Sequence, residues 1–131
     1  MKYFLDTSLI IDLEKNNRKN VQEFFSTIIQ DDAEPTITFM VYFEFLLGFR
    51  KKSLPYQLKA MNFINKFTAV MPTKETANLL CQLKAKYESR GTSLPFADAL
   101  IAAQVIEHHG TLVTCDRGFS RIEELKCIVL T

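Results

Sequence analysis

Cysteine is scarce in this sequence and net charge is nearly absent. The 131 residues include three cysteines, Cys81, Cys115 and Cys127, an odd number without CxxC spacing. This pattern argues against a disulfide framework and a cysteine zinc site, and it favours a reducing cytoplasm. Sixteen Lys and Arg against fifteen Asp and Glu leave a net charge of +1. An anionic polymer would therefore have to be bound by local patches rather than by a global field.

Long hydrophobic runs are also missing. The longest apolar stretch, residues 39–49, is interrupted by Glu44 and is shorter than the roughly 20 residues that cross a bilayer. Asp6 falls where a signal peptide would have to stay apolar. We therefore expect a cytoplasmic protein with no export signal and no membrane segment.

The remaining composition is that of an ordinary globular domain. Apolar residues make up 47% and charged residues 24% of the chain, which is usual for a domain with one continuous core. No internal repeat, linker or low-complexity tract divides the sequence. We predict a single domain that covers residues 1–131.

Short apolar segments alternate with segments of helical periodicity. The predicted strands are residues 2–5, 36–39, 67–71, 111–114 and 127–130. Thr7 or Ser8 is a natural N-cap for the first helix, Gly48 ends the helix that begins at Met40, and Pro95 opens the last long helix. Strands separated by helices indicate an α/β sandwich, with helices on both faces of a mostly parallel sheet of about five strands.

Two intervening helices have recognisable apolar faces. The core candidates are Val21, Phe24, Phe25, Ile28 and Ile29 on one helix, and Leu58, Met61, Phe63 and Ile64 on the other. These faces are expected to cover the sheet.

Two aspartates follow directly after predicted strands. Asp6 comes after the first strand and Asp116 after the fourth, and both have hydroxyl neighbours in Thr7, Ser8 and Thr114. Ligands of an open parallel sheet bind beyond the carboxyl ends of its strands, so both carboxylates are placed to form a site. Either could instead be only a helix N-cap or a turn former, and the sequence leaves that alternative open.

Glu44 lies in the apolar helical segment 40–47. Its neighbours along the helix are apolar, so we expect most faces of this turn to be buried. A buried carboxylate is costly unless it is paired, protonated or bound to a metal. An ion pair with a Lys or Arg is the alternative without a functional role.

Asp98 occupies a comparable position in the apolar helical segment 94–103. An Asp in a first turn favours the helix dipole by only about 0.3 to 1 kcal/mol, and an exposed Asp would do so equally well. Carboxylates at strand ends and in apolar helices would repel one another unless a cation neutralised them, and hard oxygen ligands select Mg²⁺ or Mn²⁺. Such an ion lowers the pKa of a bound water and offsets charge on a phosphoryl group, which favours a nuclease.

Four segments carry a resemblance to a known family. They are residues 5–12 (Leu-Asp-Thr-Ser-Leu-Ile-Ile-Asp), the helical Glu44, residues 98–103 (Asp-Ala-Leu-Ile-Ala-Ala) and residues 112–119 (Leu-Val-Thr-Cys-Asp-Arg-Gly-Phe). In order and spacing they resemble the four motifs of PIN domains, and they are most similar to the VapC-like toxins of prokaryotic toxin-antitoxin pairs. The resemblance covers essentially the whole chain.

This resemblance implies a PIN-like three-layer α/β/α sandwich and a Mg²⁺- or Mn²⁺-dependent endoribonuclease whose products carry 5′-phosphate and 3′-hydroxyl ends. The residues that match the acids and the fourth-motif hydroxyl of the family are Asp6, Glu44, Asp98, Asp116 and Thr114. The three aspartates are the implied metal ligands, and Glu44 is either a further ligand or the group that orients the attacking water.

The implied RNA contacts are Thr7, Ser8 and Arg117. Ser8 departs from the family pattern, in which Asn is common at this position, but it removes no charge. RNA must approach an acidic site, so basic neighbours are needed to hold its flanking phosphates. Further candidates by position are Arg50, Lys51, Lys52 and Arg90.

The resemblance to toxins also implies partners. These are a cognate antitoxin that blocks the site, a second copy in a homodimer, and operator DNA only through the toxin-antitoxin complex. Two alternatives stay open: a PIN-domain RNA-processing nuclease without an antitoxin, and a non-catalytic PIN-fold module that binds RNA or protein. The presence of all the acids argues against the second.

Other classes fit the residues less well. A phosphorelay receiver needs an acidic pair after the first strand and a Lys after the last, and a haloacid-dehalogenase-type phosphatase needs Asp-x-Asp-x-Thr, whereas position 8 is Ser. His108 and His109 lie together at a helix end, which favours capping over acyl transfer. The cluster of Asp31, Asp32 and Glu34 precedes the second strand and predicts a solvated turn away from the site.

Overall fold

A parallel sheet forms the centre of the molecule. The computed structural model describes residues 2–16, 18–30 and 34–130. The strands in these ranges are β1 (Tyr3–Leu5), β2 (Pro35–Thr38), β3 (Thr68–Val70), β4 (Thr111–Thr114) and β5 (Cys127–Val129). Their order is β3-β2-β1-β4-β5, every neighbouring pair is parallel, and Leu5 lies opposite Val113. The predicted parallel sheet is confirmed.

Helices connect all but the last pair of strands. In the same ranges they are α1 (Thr7–Lys15), α2 (Lys19–Gln30), α3 (Phe39–Phe49), α4 (Leu54–Ile64), α5 (Lys74–Ser89) and α6 (Phe96–Glu107), with a 3-10 helix (Arg117–Arg121) before β5. The chain moves twice toward one edge of the sheet and then crosses back. Because such crossovers are right-handed, α1 to α4 cover one face and α5 and α6 the other. None of these described helices is both long enough and apolar enough to cross a bilayer.

The core is densest around α6. Residues 99–105 are all buried, because α6 packs against α5 as well as against β2 and β4. The two central strands contribute Phe4, Leu5, Leu112 and Val113, each at most 2% exposed. The carboxyl ends of β1 and β4 are therefore fixed by packing on both faces of the sheet.

Helix α3 begins one residue earlier and ends one residue later than the sequence predicted. Phe39 starts α3 instead of ending β2, because Thr38 caps the helix by accepting a hydrogen bond from the Val41 backbone N–H at 3.3 Å. Gly48 does not end α3, which continues to Phe49. Glu44 therefore lies in the interior of a helix that starts directly after β2.

The outer surface differs from the prediction at two apolar positions. Ile29 and Leu58 were core candidates, but they are 50% and 61% exposed. The covered face of each helix is narrower than the run of apolar residues in its sequence. Of the predicted acidic turn, Asp31 and Asp32 lie outside the described residues, and Glu34 is exposed.

Candidate active site

Asp6 is the first residue after β1 and the N-cap of α1. Its Oδ1 atom accepts a hydrogen bond from the Thr7 backbone N–H at 2.8 Å, and its carbonyl accepts from the N–H groups of Leu9 and Ile10. The prediction of Thr7 or Ser8 as the cap was wrong, because the helix starts directly after Asp6. Asp6, which was predicted as a site residue, therefore also caps α1.

The second oxygen of Asp6 is held by Thr114 at the end of β4. Thr114 Oγ1 donates to Asp6 Oδ2 at 2.6 Å and accepts from the Asp116 backbone N–H at 3.0 Å. Asp6 and Thr114 are 8% and 0% exposed. One buried hydroxyl thus connects the residue after β1 to the residues after β4.

Asp116 caps the 3-10 helix. Its Oδ1 atom accepts from the Gly118 backbone N–H at 2.8 Å, and the side chain is exposed. Asp6 and Asp116 are therefore both N-caps. Capping engages one carboxylate oxygen of Asp116, so it does not exclude a second role for the other.

Glu44 on α3 meets the start of α1. Thr7 Oγ1 donates to Glu44 Oε1 at 2.7 Å. Glu44 is half-buried, which corrects the expectation that most faces of its turn are covered, since Phe43 and Leu47 are 46% and 62% exposed. Within the described residues no Lys or Arg forms an ion pair with Glu44. The described residues therefore do not support the ion-pair alternative for Glu44.

Asp98 lies half-buried in the first turn of α6. Burial raises the pKa of this carboxyl above its ordinary value. The negative charge of Asp116 raises the pKa further, as does that of Glu44, while Arg121 opposes the shift. Asp98 is thus within electrostatic range of two other predicted site residues.

The pKa of Asp6 is raised as well. Burial is the largest cause, and the charges of Glu44 and Asp98 add to it; the hydrogen bonds from Thr114 and Thr7 act in the opposite direction. Asp6 therefore interacts with Glu44 and Asp98, and Asp98 interacts with Asp116. These interactions indicate that the predicted acids lie near one another at the carboxyl edge of the sheet. Mutual repulsion makes that edge a place where a cation would be stabilising.

The carboxylates do not form a ready-made cage for a metal. In the described ranges, no group of three or more His, Cys, Asp or Glu side chains is close enough to hold an ion. The donor set still fits a hard cation, because Mg²⁺ takes oxygen ligands and commonly keeps several of its waters. The Ser8 hydroxyl beside Asp6 is also buried without a hydrogen-bond partner in the described part of the chain. These groups fit an ion held through water better than one enclosed by carboxylates.

Arg18 was missed by the sequence analysis. Its Nε atom lies 3.0 Å from Oδ2 of the buried Asp12, and its Nη1 atom donates to Cys115 Sγ at 3.0 Å. Cys115 lies between Thr114 and Asp116, so Arg18 joins the end of α1 to the segment after β4. The only sequence signal was an acid on an otherwise apolar helix face, which requires a basic partner.

The basic residues near the site are distributed differently from the prediction. Arg90 is engaged with Glu123, at 2.9 Å, which leaves it a poor candidate for RNA phosphates. Arg117 is exposed at the start of the 3-10 helix. Arg121 at the end of that helix is the positive charge that acts on Asp98, and it was not among the predicted residues.

A buried amide connects the two helices that carry Glu44 and Asp98. Gln104 of α6 accepts at Oε1 from the Phe39 backbone N–H, at 3.0 Å, and donates from Nε2 to the Val70 carbonyl, also at 3.0 Å. Gln104 is fully buried. Its signal in the sequence is a single amide inside a run of apolar residues, and Gln104 was not among the predicted residues.

Comparison with known proteins places this geometry in context. The model of the PIN domain family matches residues 3–125, and no curated protein sequence matches the chain. The structure is similar to VapBC2 from Rickettsia felis bound to a DNA fragment from its promoter, with a TM-score of 0.89 and 22% identity over 100% of both chains. It is also similar to VapBC-1 from nontypeable Haemophilus influenzae (TM-score 0.85, 22% identity, 98% of both chains). DNA-bound VapBC from Salmonella typhimurium gives a TM-score of 0.83 with 24% identity over 98% of both chains.

Fold and site together define an α/β protein whose parallel sheet presents an acidic carboxyl edge. Because the family model spans most of the sequence, the chain belongs to the PIN domain family. The predicted PIN-like α/β/α sandwich is confirmed, and so is the resemblance to toxin-antitoxin proteins at the level of the fold. At this identity the structural likeness establishes the fold alone.

Proposed function

We propose that this protein is a metal-dependent endoribonuclease and the toxin of a toxin-antitoxin pair. The proposal rests on the electrostatic interaction among Asp6, Glu44 and Asp98, which lie on separate elements. The charges of Glu44 and Asp98 raise the pKa of Asp6, and the charge of Glu44 raises the pKa of Asp98. Hydroxyl groups of Thr7 and Thr114, rather than basic side chains, hold two of these acids. Carboxylates that repel one another in this way are the arrangement that a divalent cation stabilises.

In this proposal Asp6, Asp98 and Asp116 hold Mg²⁺ or Mn²⁺, directly or through water. Glu44 is a further ligand or orients the attacking water. The ion, when bound, supplies a water of lowered pKa and offsets negative charge on the phosphate. Thr114 holds Asp6 in position, and its hydrogen bond opposes the rise in the pKa of Asp6 that burial causes.

RNA contacts are proposed for Thr7, Ser8 and Arg117. The Ser8 hydroxyl is buried and has no partner in the described residues, so it has a free hydrogen-bonding capacity, but a phosphate would reach it only if the groups that cover it moved. Thr7 already donates to Glu44, and its contact with RNA would be made at the expense of that bond. Arg117 is exposed beside Asp116 and can reach a flanking phosphate.

The proposed partners follow from the structural relatives, which are toxin-antitoxin assemblies, two of them bound to DNA. We propose a cognate antitoxin, a homodimer, contact with operator DNA only through the complex, and a cytoplasmic location. A short upstream gene encoding a DNA-binding protein would favour the toxin over an RNA-processing nuclease.

Cleavage of a labelled RNA pool with mapped ends tests the activity. We expect 5′-phosphate and 3′-hydroxyl ends in Mg²⁺ or Mn²⁺, and no cleavage in EDTA or with Asp6→Asn or Asp98→Asn variants that are folded. Glu88→Gln is the matched control, because Glu88 is exposed on α5 and is not among the charges acting on Asp6 or Asp98. Full cleavage by either aspartate variant would overturn the proposal. Binding of RNA without cleavage by the natural protein would favour the non-catalytic module.

A further inference from the structure

Residues at both ends of α1 are bonded to the short segment that follows β4. At the start of α1, the Asp6 carboxylate accepts a hydrogen bond from Thr114 Oγ1 at 2.6 Å. Beyond the end of α1, Arg18 Nη1 donates to Cys115 Sγ at 3.0 Å. Thr114 and Cys115 are consecutive in the sequence, so the two bonds hold the same segment at neighbouring residues.

The Arg18 guanidinium is itself held by α1. Its Nε atom lies 3.0 Å from Oδ2 of Asp12, a residue of α1 that is 8% exposed. A guanidinium is planar and rigid, so fixing Nε also fixes the direction in which Nη1 points. Although the Arg18 side chain is 48% exposed, its bond to Cys115 therefore starts from a fixed point on the helix.

Cys115 lies between two of the predicted site residues, Thr114 and Asp116. The bond from Arg18 is the only hydrogen bond of the Cys115 thiol in the part of the chain that the structure describes. The bonds of Asp116 are local, because its N–H donates to Thr114 Oγ1 at 3.0 Å and its carboxylate accepts from the Gly118 N–H. Arg18, in contrast, comes from a separate part of the chain. A shift of Cys115 would therefore carry Asp116 with it.

We propose that Arg18 is a positioning residue for Asp116. Through Cys115 it fixes the segment after β4 to α1, and it thereby keeps the Asp116 carboxylate at a set place relative to Asp6, the N-cap of the same helix. A misplacement of about 1 Å can lower a rate by about a hundredfold, so a contact remote from the acids can control their chemistry. The catalytic part of this inference rests on the proposed nuclease function, in which Asp116 is a metal ligand.

Three substitutions separate this contact from the buried ion pair. Cys115→Ala removes the sulfur acceptor and leaves Arg18 its contact with Asp12. Arg18→Lys keeps a positive charge for Asp12, but a single ammonium group cannot reproduce the planar fork that serves both partners. Cys115→Ser keeps an acceptor and is the conservative rescue. Cys81→Ala is the matched control, because it makes the same chemical change at an exposed cysteine on α5.

Hydrogen exchange of the Asp116 amide measures the positioning directly, in the metal-free protein. This N–H donates to Thr114 Oγ1, so its protection factor depends on how firmly the segment is held. We expect the protection factor to fall roughly tenfold in Cys115→Ala and in Arg18→Lys. Cys115→Ser should restore it to within about threefold of the natural value, and Cys81→Ala should leave it unchanged. Protection factors correct for the intrinsic exchange rate, so variants with different neighbours can be compared.

Cleavage of a labelled RNA in Mg²⁺ measures the catalytic consequence. Cys115→Ala and Arg18→Lys should each lower kcat roughly tenfold, the effect of a small misplacement of a metal ligand. The double variant should lose no more than either single variant, because residues that act through one contact are not additive. Cys115→Ser should recover most of the rate, and Cys81→Ala should keep it. Melting curves of the same proteins give an assay temperature at which all of them are folded.

The outcomes distinguish this inference from the proposed function. Cleavage by the natural protein with an unchanged kcat in Cys115→Ala and Arg18→Lys would overturn the positioning role and leave the nuclease standing. Unchanged protection of the Asp116 amide, or kcat losses that multiply in the double variant, would overturn it as well. If the natural protein cleaves no RNA while both variants lose protection at Asp116, Arg18 still positions this residue and the nuclease is overturned.

Discussion

Thr114 Oγ1 donates a 2.6 Å hydrogen bond to Asp6 Oδ2 inside the core, between residues that are 108 positions apart in sequence. The same hydroxyl accepts from the backbone of Asp116. A single side chain therefore fixes two of the predicted site residues relative to each other. This relationship makes Thr114 the natural first position for mutation.

Thr114→Val removes the hydroxyl and keeps the shape of the side chain. Because this hydrogen bond lowers the pKa of Asp6, its loss should move the acid limb of the kcat/KM profile to higher pH. A hydrogen bond to a charged group contributes about 1.5 to 3 kcal/mol, and we expect the unfolding free energy at neutral pH to fall by an amount of that order. Thr114→Ser should restore both properties. An unchanged pH profile in Thr114→Val would show that the hydroxyl does not control Asp6.

Asp6→Asn should stabilise the metal-free protein at neutral pH while abolishing cleavage. The folded-state pKa of Asp6 is raised, so folding favours its protonated form. That contribution to stability is complete below the unfolded pKa and is lost as pH rises through the folded pKa. Asn retains a side-chain cap, and we expect a gain on the order of 0.5 to 2 kcal/mol at neutral pH that disappears in acid. Urea unfolding in EDTA across pH measures it, and a loss of stability at neutral pH would contradict it.

Binding of Mg²⁺ or Mn²⁺ should raise the melting temperature of the natural protein. An ion present at a hundredfold excess over its Kd stabilises the folded state by about 2.7 kcal/mol. Asp98→Asn should show a much smaller shift, because it removes one of the proposed ligands. Glu88→Gln should keep the full shift, and calorimetry with EDTA as the reference is the measurement. Equal shifts in all three proteins would remove the support for a metal site at this edge.

Arg18→Ala should destabilise the protein more than loss of an ordinary surface pair. It would leave the buried Asp12 carboxylate without the positive charge that lies 3.0 Å from its Oδ2 atom. That atom accepts no hydrogen bond within the described residues, so the ion pair is its only compensation there, and an unsatisfied buried group costs about 1 to 3 kcal/mol. Lys19→Ala is the control, because its pair with Glu23 is exposed and 3.9 Å long and should contribute at most about 0.5 kcal/mol. Chemical denaturation of both variants gives the comparison. Equal effects would mean that the Asp12 pair is an ordinary surface contact.

Two glycines should respond in opposite directions to alanine. Gly48→Ala is expected to stabilise α3 by about 0.5 to 1 kcal/mol, since a Cβ there meets nothing within 4 Å. A Cβ at Gly110 would come within 2.5 Å of the buried Phe4 ring, so Gly110→Ala should destabilise by about 1 to 3 kcal/mol through overpacking. Thermal unfolding of the two variants decides. A stable Gly110→Ala protein would show that the Phe4 ring can move aside.

Periodicity was sufficient to locate the sheet because its strands are short, apolar and separated by clear helices. The predicted strand 111–114 coincides with β4, Thr111–Thr114. Boundaries that depend on a hydrogen bond were less predictable. Phe39 continues the apolar alternation of β2, and only the cap made by Thr38 places it in a helix. Thr7 or Ser8 was predicted to cap α1, and Asp6 was predicted only as a candidate site residue or N-cap. Which residue caps the helix depends on where β1 ends.

The candidate site was predictable to the extent that acids stand out in apolar surroundings. Asp98 was selected because burying charge is costly, and Asp6 because it follows a predicted strand; burial is the leading cause of the raised pKa of each. Arg18 and Gln104 each had a weak local signal, but three of their partners are distant in sequence: Cys115 for Arg18, and Phe39 and Val70 for Gln104. Their roles depend on the packing of separate elements, which no local pattern encodes.

Gln104 has a consequence for how this protein could be switched off. Its fully buried side chain accepts one hydrogen bond from the Phe39 N–H at the start of α3, the helix that carries Glu44, and donates a second to the Val70 carbonyl of β3. A binding partner that displaced the start of α3 would have to break the first of these bonds and leave the buried Gln104 oxygen unsatisfied, at a cost of about 1 to 3 kcal/mol. Inhibition by distorting α3 would therefore cost more free energy than inhibition by covering the acidic edge, which leaves this bond intact.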